Sequence, residues 1–222
     1  MQNIIYCKII IILIKILLQL KVYCGIKKFI MKLKKIAKIQ SGYINRGKIE
    51  LRDDGTCLLL QAKDVDAVNL SYRTDVLVRF TPKLSGKDWF LKSGDILFMA
   101  RGARNFSVMV DKLPEGVLAA ACFFIVRITN SEILPEYLSW YLNQSPVEEY
   151  LQRFSGRGVH MPVVRRALLE SIDIPFPPYK TQKKVSKINK LLQKEQALYR
   201  KLAEKRKHLM TGICLKATSK RD

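Results

Sequence analysis

Residues 171–210 read SIDIPFPPYKTQKKVSKINKLLQKEQALYRKLAEKRKHLM, and this passage decides the architecture. It begins as a short β-branched strand at 172–174. The Phe176-Pro177-Pro178-Tyr179 run then closes the strand, because two prolines can continue neither a ladder nor a helix and hold the chain extended. Beyond it no Gly or Pro occurs from Lys180 to Thr211. Ile188, Leu191, Leu198, Leu202 and Leu209 follow one another at steps of 3, 7, 4 and 7, with Glu195 and Lys205 in the skipped places. That spacing predicts a helix of about seven to eight turns with a narrow apolar seam. Residues 179–222 carry 14 Lys+Arg against 3 acids. One thin stripe with charge on its other sides suits pairing with a second helix better than burial in a core. The mate is another copy of the chain or another protein.

Working outward from the helix, residues 31–178 alternate between strand and helix signals. Apolar spacing at Leu33, Ile36, Ala37 and Ile39 predicts a short helix over 31–40, stopped by Ser41-Gly42. Strands are expected at 56–62, 75–80, 96–100, 106–110 and 121–128, with turns at Asp54-Gly55, Thr81-Pro82, Ser93-Gly94-Asp95 and Pro114-Glu115-Gly116. Pro135 fits the first position of a helix whose Tyr137, Leu138, Tyr141 and Leu142 share a face. Ser145-Pro146-Val147-Glu148 reads as a capping box opening a second helix, and 162–170 as a third. The fold class expected is α+β, an irregular mixed α/β domain, followed by a long coiled-coil-type α-helix.

The whole chain has 222 residues with 40 Lys+Arg and 19 Asp+Glu, a net charge of +21. At 48% hydrophobic it can still bury a core, so global disorder is excluded. The charge favours a polyanion as partner, nucleic acid first and an anionic membrane second. Cys7, Cys24, Cys57, Cys122 and Cys214 are odd in number and never form C-x-x-C, which argues against a disulfide framework or zinc ribbon and fits reduced thiols in a cytoplasm. His160 and His208 are too few for a metal cluster. Residues 1–30 are Ile- and Lys-rich without an acid, and Ile4–Leu20 is interrupted by Lys8, Lys15 and Gln19. That suits neither a spanning helix nor a signal peptide. Met31 opens a more ordinary sequence, so translation is expected to begin there; if 1–30 are made, an amphipathic or poorly ordered extension outside the domain at 31–178 is expected. A membrane-surface protein anchored through 1–30 is the second reading.

Catalytic patterns are weak. In Phe176-Pro177-Pro178-Tyr179 the first residue cannot accept a hydrogen bond from an amine, as the Asn or Asp of an amino-methyltransferase motif would. No Gly-rich turn follows a strand to cradle a nucleoside. A nuclease-like set drawn from Asp54, Gln61 and Lys63 is a common chance spacing. A small DNA-processing enzyme is therefore the third reading, and a non-enzyme the first. Cationic contacts are the stronger signal. Arg101, Arg104 and Asn105 share a short loop, RGARN; Arg and Asn side chains match the donor and acceptor pairs of guanine and adenine in the major groove. Lys63, Arg153, Arg157, His160 and Arg165 suit phosphate contacts, which give affinity with little sequence information.

In order and spacing, MKLKKIAKIQSGYINRG, LLLQAKDV, LKSGDILFMARGARNFSVMV, ILPEYLSWYLNQ and SIDIPFPPYKTQKKV resemble the specificity (S) subunit of type I restriction–modification systems. The resemblance implies a DNA target recognition domain at 31–178 and a helical spacer at 179–222. Full-length members carry two such units, each reading half of a split site, and this chain has one. It implies double-stranded DNA as ligand and a DNA methyltransferase (modification) subunit that supplies cofactor and chemistry. It further implies a place for a restriction subunit and pairing with a second half through Ile188, Leu191, Leu198, Leu202 and Leu209. This chain would itself hold no cofactor and no metal.

Overall fold

A computed structural model describes residues 29–44, 54–82, 89–154 and 163–219. Its centre is a four-stranded antiparallel sheet in the order β2 (Ala37–Ser41), β10 (Phe123–Ile128), β7 (Ile96–Met99) and β8 (Ser107–Met109). Strand β7, Ile-Leu-Phe-Met, is buried at all four positions because the sheet is covered on both faces. Side chains alternate across a strand. Ile96 and Phe98 therefore enter one core with Leu33, Ile36, Val126, Leu138 and Leu169, whereas Leu97 and Met99 enter another with Leu60, Val108, Phe123 and Ile125.

The first core lies under α1 (Leu33–Ile36), α2 (Pro135–Leu142), α3 (Ser145–Phe154) and α4 (Arg166–Glu170). The second lies under a three-stranded sheet in which β3 (Cys57–Leu60) pairs antiparallel with β6 (Val78–Phe80) and parallel with β9 (Val117–Ala119). A hairpin, β4 (Val65–Asp66) and β5 (Ser71–Tyr72), stands beside it. Strand β1 (Phe29–Lys32) pairs with β11 (Asp173–Phe176) and ties the start of the domain to its exit. From there α5 (Tyr179–Ser219) runs for 41 residues, about 60 Å.

The expected helix over 31–40 is corrected. Only Leu33–Ile36 are helical; Ala37–Ser41 bury alternate residues, Ala37 and Ile39, and join β10 along its length. Gain from the sheet outweighs a weak helical period. Gly42 is needed less to end a helix than to let the chain pass β9: a Cβ there would lie 2.2 Å from the carbonyl oxygen of Ala120. Strand β9 was not foreseen, since three residues carry no period. Helix α5 continues past Leu209 to Ser219. Of the 1–30 extension only Phe29 and Ile30 are described. They belong to β1, so the first strand begins ahead of Met31; the remainder lies outside the described residues.

A buried ion pair braces the central sheet. Asp95, 2% exposed, ends the turn before β7 and accepts from Arg127 of β10 through Nε at 2.8 Å and Nη2 at 2.7 Å. Its Oδ2 also accepts from the backbone N–H of Lys92 at 2.8 Å, and Arg127 Nη2 donates to the Phe90 carbonyl at 2.9 Å. Gly94 in that turn has φ +88°, a conformation that favours glycine.

Helix α5 is fixed to the domain at two places. Gln182 is fully buried. Its Oε1 accepts from the Leu134 N–H at 2.9 Å, and its Nε2 donates to the carbonyls of Glu132 at 3.0 Å and Pro177 at 2.9 Å. Five turns on, Arg200 donates through Nη1 to Asn69 Oδ1 in the β4–β5 turn. That turn is held by Asp66, which accepts from the backbone N–H groups of Val68 and Asn69. The Asn69 backbone hydrogen bond is the main cause that holds the Asp66 carboxyl below its ordinary range. A lowered native pKa means the turn is supported above the unfolded carboxylate pKa and loses that support as pH falls.

Asp95→Asn removes the bidentate carboxylate from the Arg127 guanidinium in a half-buried site. The expected loss is about 3 kcal/mol of unfolding free energy, measured by urea denaturation at neutral pH.

Candidate nucleic-acid interface

The RGARN loop is the turn of the β7–β8 hairpin. Phe106 accepts at its carbonyl from the Met99 N–H at 2.8 Å, and Asn105 Nδ2 donates to the Met99 carbonyl at 2.8 Å. Asn105 is half-buried and closes the loop from within. A second brace lies beneath. Ser107, wholly buried, donates its N–H to Asn143 Oδ1 at 2.8 Å and its hydroxyl to the Ser139 carbonyl at 2.8 Å. Asn143 Nδ2 donates in turn to the Ser107 carbonyl at 2.9 Å. The hairpin is thus pinned to the C-terminal end of α2 by Asn143 and by the Ser107 hydroxyl.

The loop's two arginines part company. Arg101 is exposed and bridges Val163 across an antiparallel contact; Val164 N–H donates to the Ala100 carbonyl at 2.9 Å. Arg165 follows directly, exposed, ahead of α4. Cys122 lies under the same spot, its thiol pushed up by burial and drawn down by contact with the Ala62 backbone and by the Arg101 charge. Ala62 begins the 3-10 turn Ala62–Asp64, which carries exposed Lys63. Lys63, Arg101 and Arg165 therefore gather on one rim, although 102 residues separate the first from the last in sequence.

Arg104 sits on the other side of the loop. It lines one cleft with Asn105, Asn143, Glu148 and Gln152 of α3 and a second, of about 300 Å3, with Asn69, Asn189, Gln193 and Arg200. Arg153 is exposed in the last turn of α3. Arg157 and His160 lie outside the described residues. None of Lys63, Arg101, Arg104, Arg153 and Arg165 forms an ion pair among the described residues, whereas Lys32, Arg127 and Arg166 pair with Asp173, Asp95 and Glu170. An unpaired surface cation keeps its full charge for an anionic ligand.

The helix divides its faces as sharply. Gln182, Val185, Ser186, Asn189, Gln193 and Arg200 turn toward the domain and are buried or half-buried. The seam faces away: Ile188 is 65% exposed, Leu191 59%, Leu198 58%, Leu202 63% and Leu209 64%. Leu192, Tyr199 and Ile213, outside the 3-and-4 spacing, widen it, each on the same flank. The anchors Gln182 and Arg200 look in sequence like any polar residue of a solvated helix. Among the described residues no cluster of His, Cys, Asp or Glu could hold a metal, and no helix is long and apolar enough to cross a membrane.

No protein-family model matches the chain, and no curated protein is significantly similar to it in sequence. Solved structures are similar. The HsdS subunit from Thermoanaerobacter tengcongensis superposes with a TM-score of 0.58 at 18% identity, over 81% of this chain and 45% of that one. The S subunit of a type I restriction-modification system from M. genitalium gives 0.52 at 12% identity, over 83% and 44%. A chain from a structure concerning complex assembly and conformational transition of the type I R-M system gives 0.61 at 18% identity, over 87% and 50%. The chain has an S-subunit-like fold, mixed sheets and helices with one long C-terminal helix, and spans half or less of the length of each of these chains.

Asn143→Ala strands the Ser107 N–H and leaves, of these bonds between the hairpin and α2, that of the Ser107 hydroxyl to the Ser139 carbonyl. A loss of about 2 kcal/mol in stability is expected, with faster amide exchange at Met99 and Phe106 than at Ile125 on the neighbouring strand.

Proposed function

From an S-subunit-like fold that spans one recognition unit and one helix, we propose that this chain is a DNA-specificity polypeptide reading half of a split duplex site. It brings no catalytic group of its own. A modification subunit, a DNA methyltransferase, docks on it and supplies the methyl-donor site and the chemistry, and the assembly leaves room for a restriction subunit. The compartment is the cytoplasm, where its DNA lies. The single observation that carries the reading is the division of labour in the fold: unpaired cations on the compact domain, and an apolar seam on the face of α5 turned away from it.

On this reading the rim of Lys63, Arg101 and Arg165 follows the phosphate backbone, and Arg153, Arg157 and His160 add further phosphate contacts. Phosphate contacts release counterions, so their loss weakens all sequences alike and flattens the salt dependence. Arg101 and Arg104 flank the hairpin tip on opposite sides and can read bases where the tip enters a groove. Asn105 contributes chiefly by holding the tip in shape, because one of its amide hydrogens is already given to Met99. The seam residues Ile188, Leu191, Leu198, Leu202 and Leu209 join the helix to that of a second unit, so that two domains address one site.

The direct test is binding of the full chain to a library of duplex oligonucleotides, alone and with a companion methyltransferase. Selection of a half-site motif is expected; indifference to duplex DNA in both conditions refutes the proposal. Two variants refine it. Arg165→Ala should lower affinity evenly across sequences and reduce the slope of log K against log salt by about 1, whereas Arg104→Ala should relax preference at one base pair by about 1–3 kcal/mol. Replacing Leu198 and Leu202 together by Asp should abolish association through the helix in sedimentation experiments while the domain keeps its fold; an unchanged mass would refute the seam.

A further inference from the structure

A short apolar side chain stands among the cations of the rim. We infer that Val163 is a base-reading residue and that the group it takes is the 5-methyl of a thymine in the major groove. The inference rests on the reading of duplex DNA proposed above and adds to it one residue and the chemical group that residue recognises.

Val163 pairs with Arg101 in an isolated antiparallel bridge, and the Val164 N–H donates to the Ala100 carbonyl at 2.9 Å. The N–H groups of Ala100 and Arg101 both donate to the Cys122 carbonyl, at 2.9 and 3.2 Å, so two other segments anchor this strip. Side chains alternate along extended backbone. Ala100 and Val164 turn inward, 2% and 1% exposed, whereas Arg101, Val163 and Arg165 turn outward. Val163 is 52% exposed. Facing residues of an antiparallel pair have Cβ atoms about 5 Å apart. The outward face therefore presents an isopropyl group with one guanidinium across the bridge and a second two residues along the strand. Valine is stiff about its first side-chain torsion, so on an anchored backbone this group has little freedom left to lose on binding.

A lone valine on a surface carries no meaning by itself. This one shares its face with cations that address the duplex, and whatever meets it there loses water. The sugar–phosphate chain and most base edges offer charges, donors or acceptors. Against Val163 each of these would be desolvated with no hydrogen bond in return. Among the base edges of the major groove the apolar group is the 5-methyl of thymine, and the minor groove shows none. The valine therefore selects that methyl. By the same desolvation it rejects the amino group of cytosine and the N7 and O6 acceptors of guanine.

The relief of the strip fits a groove. The major groove is about 12 Å wide, admits a two-stranded ribbon and is walled by phosphates. The long arginines splay toward those walls, while the short valine, with its backbone close behind, faces the floor. Seated so, Arg165 meets a phosphate and Val163 a base edge. Arg101 lies about 5 Å from Val163, between one and two base steps of about 3.4 Å. A base read by Arg101 is thus a near neighbour of the thymine.

Base analogues isolate the contact. In the half-site selected from the duplex library, each thymine in turn is replaced by uracil, which removes the methyl and keeps every hydrogen-bonding group. One replacement should weaken binding of the full chain about fourfold, the effect of burying one methyl group, in fluorescence anisotropy titrations at a single salt concentration. Val163→Ser should bind the thymine duplex more weakly by a similar factor and become indifferent to that uracil, whereas Val163→Ile should keep the penalty. Both changes fall at an exposed position, and selection of the remaining bases reports that the fold survives. At the same place 5-methylcytosine should bind better than cytosine in the parent and equally in Val163→Ser, which separates the methyl from the other groups of thymine. A chain that selects a half-site yet tolerates uracil at every thymine, or selects one without an A·T pair, overturns the inference and leaves DNA reading standing. A uracil penalty undiminished in Val163→Ser, or abolished as fully in Val163→Ile, overturns the role of this apolar side chain. Indifference to duplex DNA overturns the reading on which the inference rests.

Discussion

Everything distinctive about this molecule depends on how one side chain, Gln182, is buried. A glutamine amide offers both donor and acceptor, and here both are used on backbone groups of two separate segments. Burial without those bonds would cost several kcal/mol; with them the amide becomes a directional joint that fixes how α5 leaves the domain. The Arg200 contact adds a second, exposed tie between the helix and the β4–β5 turn. A compact domain and a rod thereby act as one body, and a seam on the rod acquires a defined position relative to the loops of the domain.

The same economy governs the domain. Its central sheet is covered on both faces, so a hydrophobic pattern alone cannot hold the strands in register against sliding. Arg127 and Asp95 supply the missing direction, a bidentate ion pair across β10 and the turn before β7. Asn143 does the equivalent for the hairpin tip. Polar groups in this fold locate and orient, while the apolar clusters supply the driving force. Tyr137 belongs to the same pattern: burial pushes its phenol up to about 12, so it remains a hydroxyl that donates to Pro175 at the exit from the domain.

Much of the fold was legible. Strands β3, β7, β8 and β10 and helices α2, α3 and α5 stand where alternation, proline at a first turn and the long helical period put them, whereas the helix expected over 162–170 is confined to Arg166–Glu170 because Val163 bridges to Arg101 and Arg165 is extended. The 31–40 segment was misjudged because four apolar residues fit a helical period while their burial alternates in two. Strand β9 and the β4–β5 hairpin are too short to carry any period. Of the candidate site, charge type was legible and grouping was not. Lys63, Arg101 and Arg165 converge only because β3, β7 and the segment before α4 meet around Cys122. Arg104, three residues from Arg101, faces the opposite way because a tight hairpin reverses the chain between them.

Residue order alone is enough to say that the protein is strongly cationic, that a mixed domain precedes a long helix, and that the helix carries a seam wanting a mate. Composition and periodicity are local properties, and local properties survive without a fold. Which side of the helix the domain covers is set by the packing of distant segments. It leaves the seam in water because Gln182 and Arg200 find hydrogen-bonding partners on the domain, and Asn189 and Gln193 lie half-buried between them on the same side, while the leucines find none. That choice depends on which backbone groups are left unpaired at Glu132, Leu134 and Pro177, a fact fixed by distant parts of the chain and written in no single stretch of it.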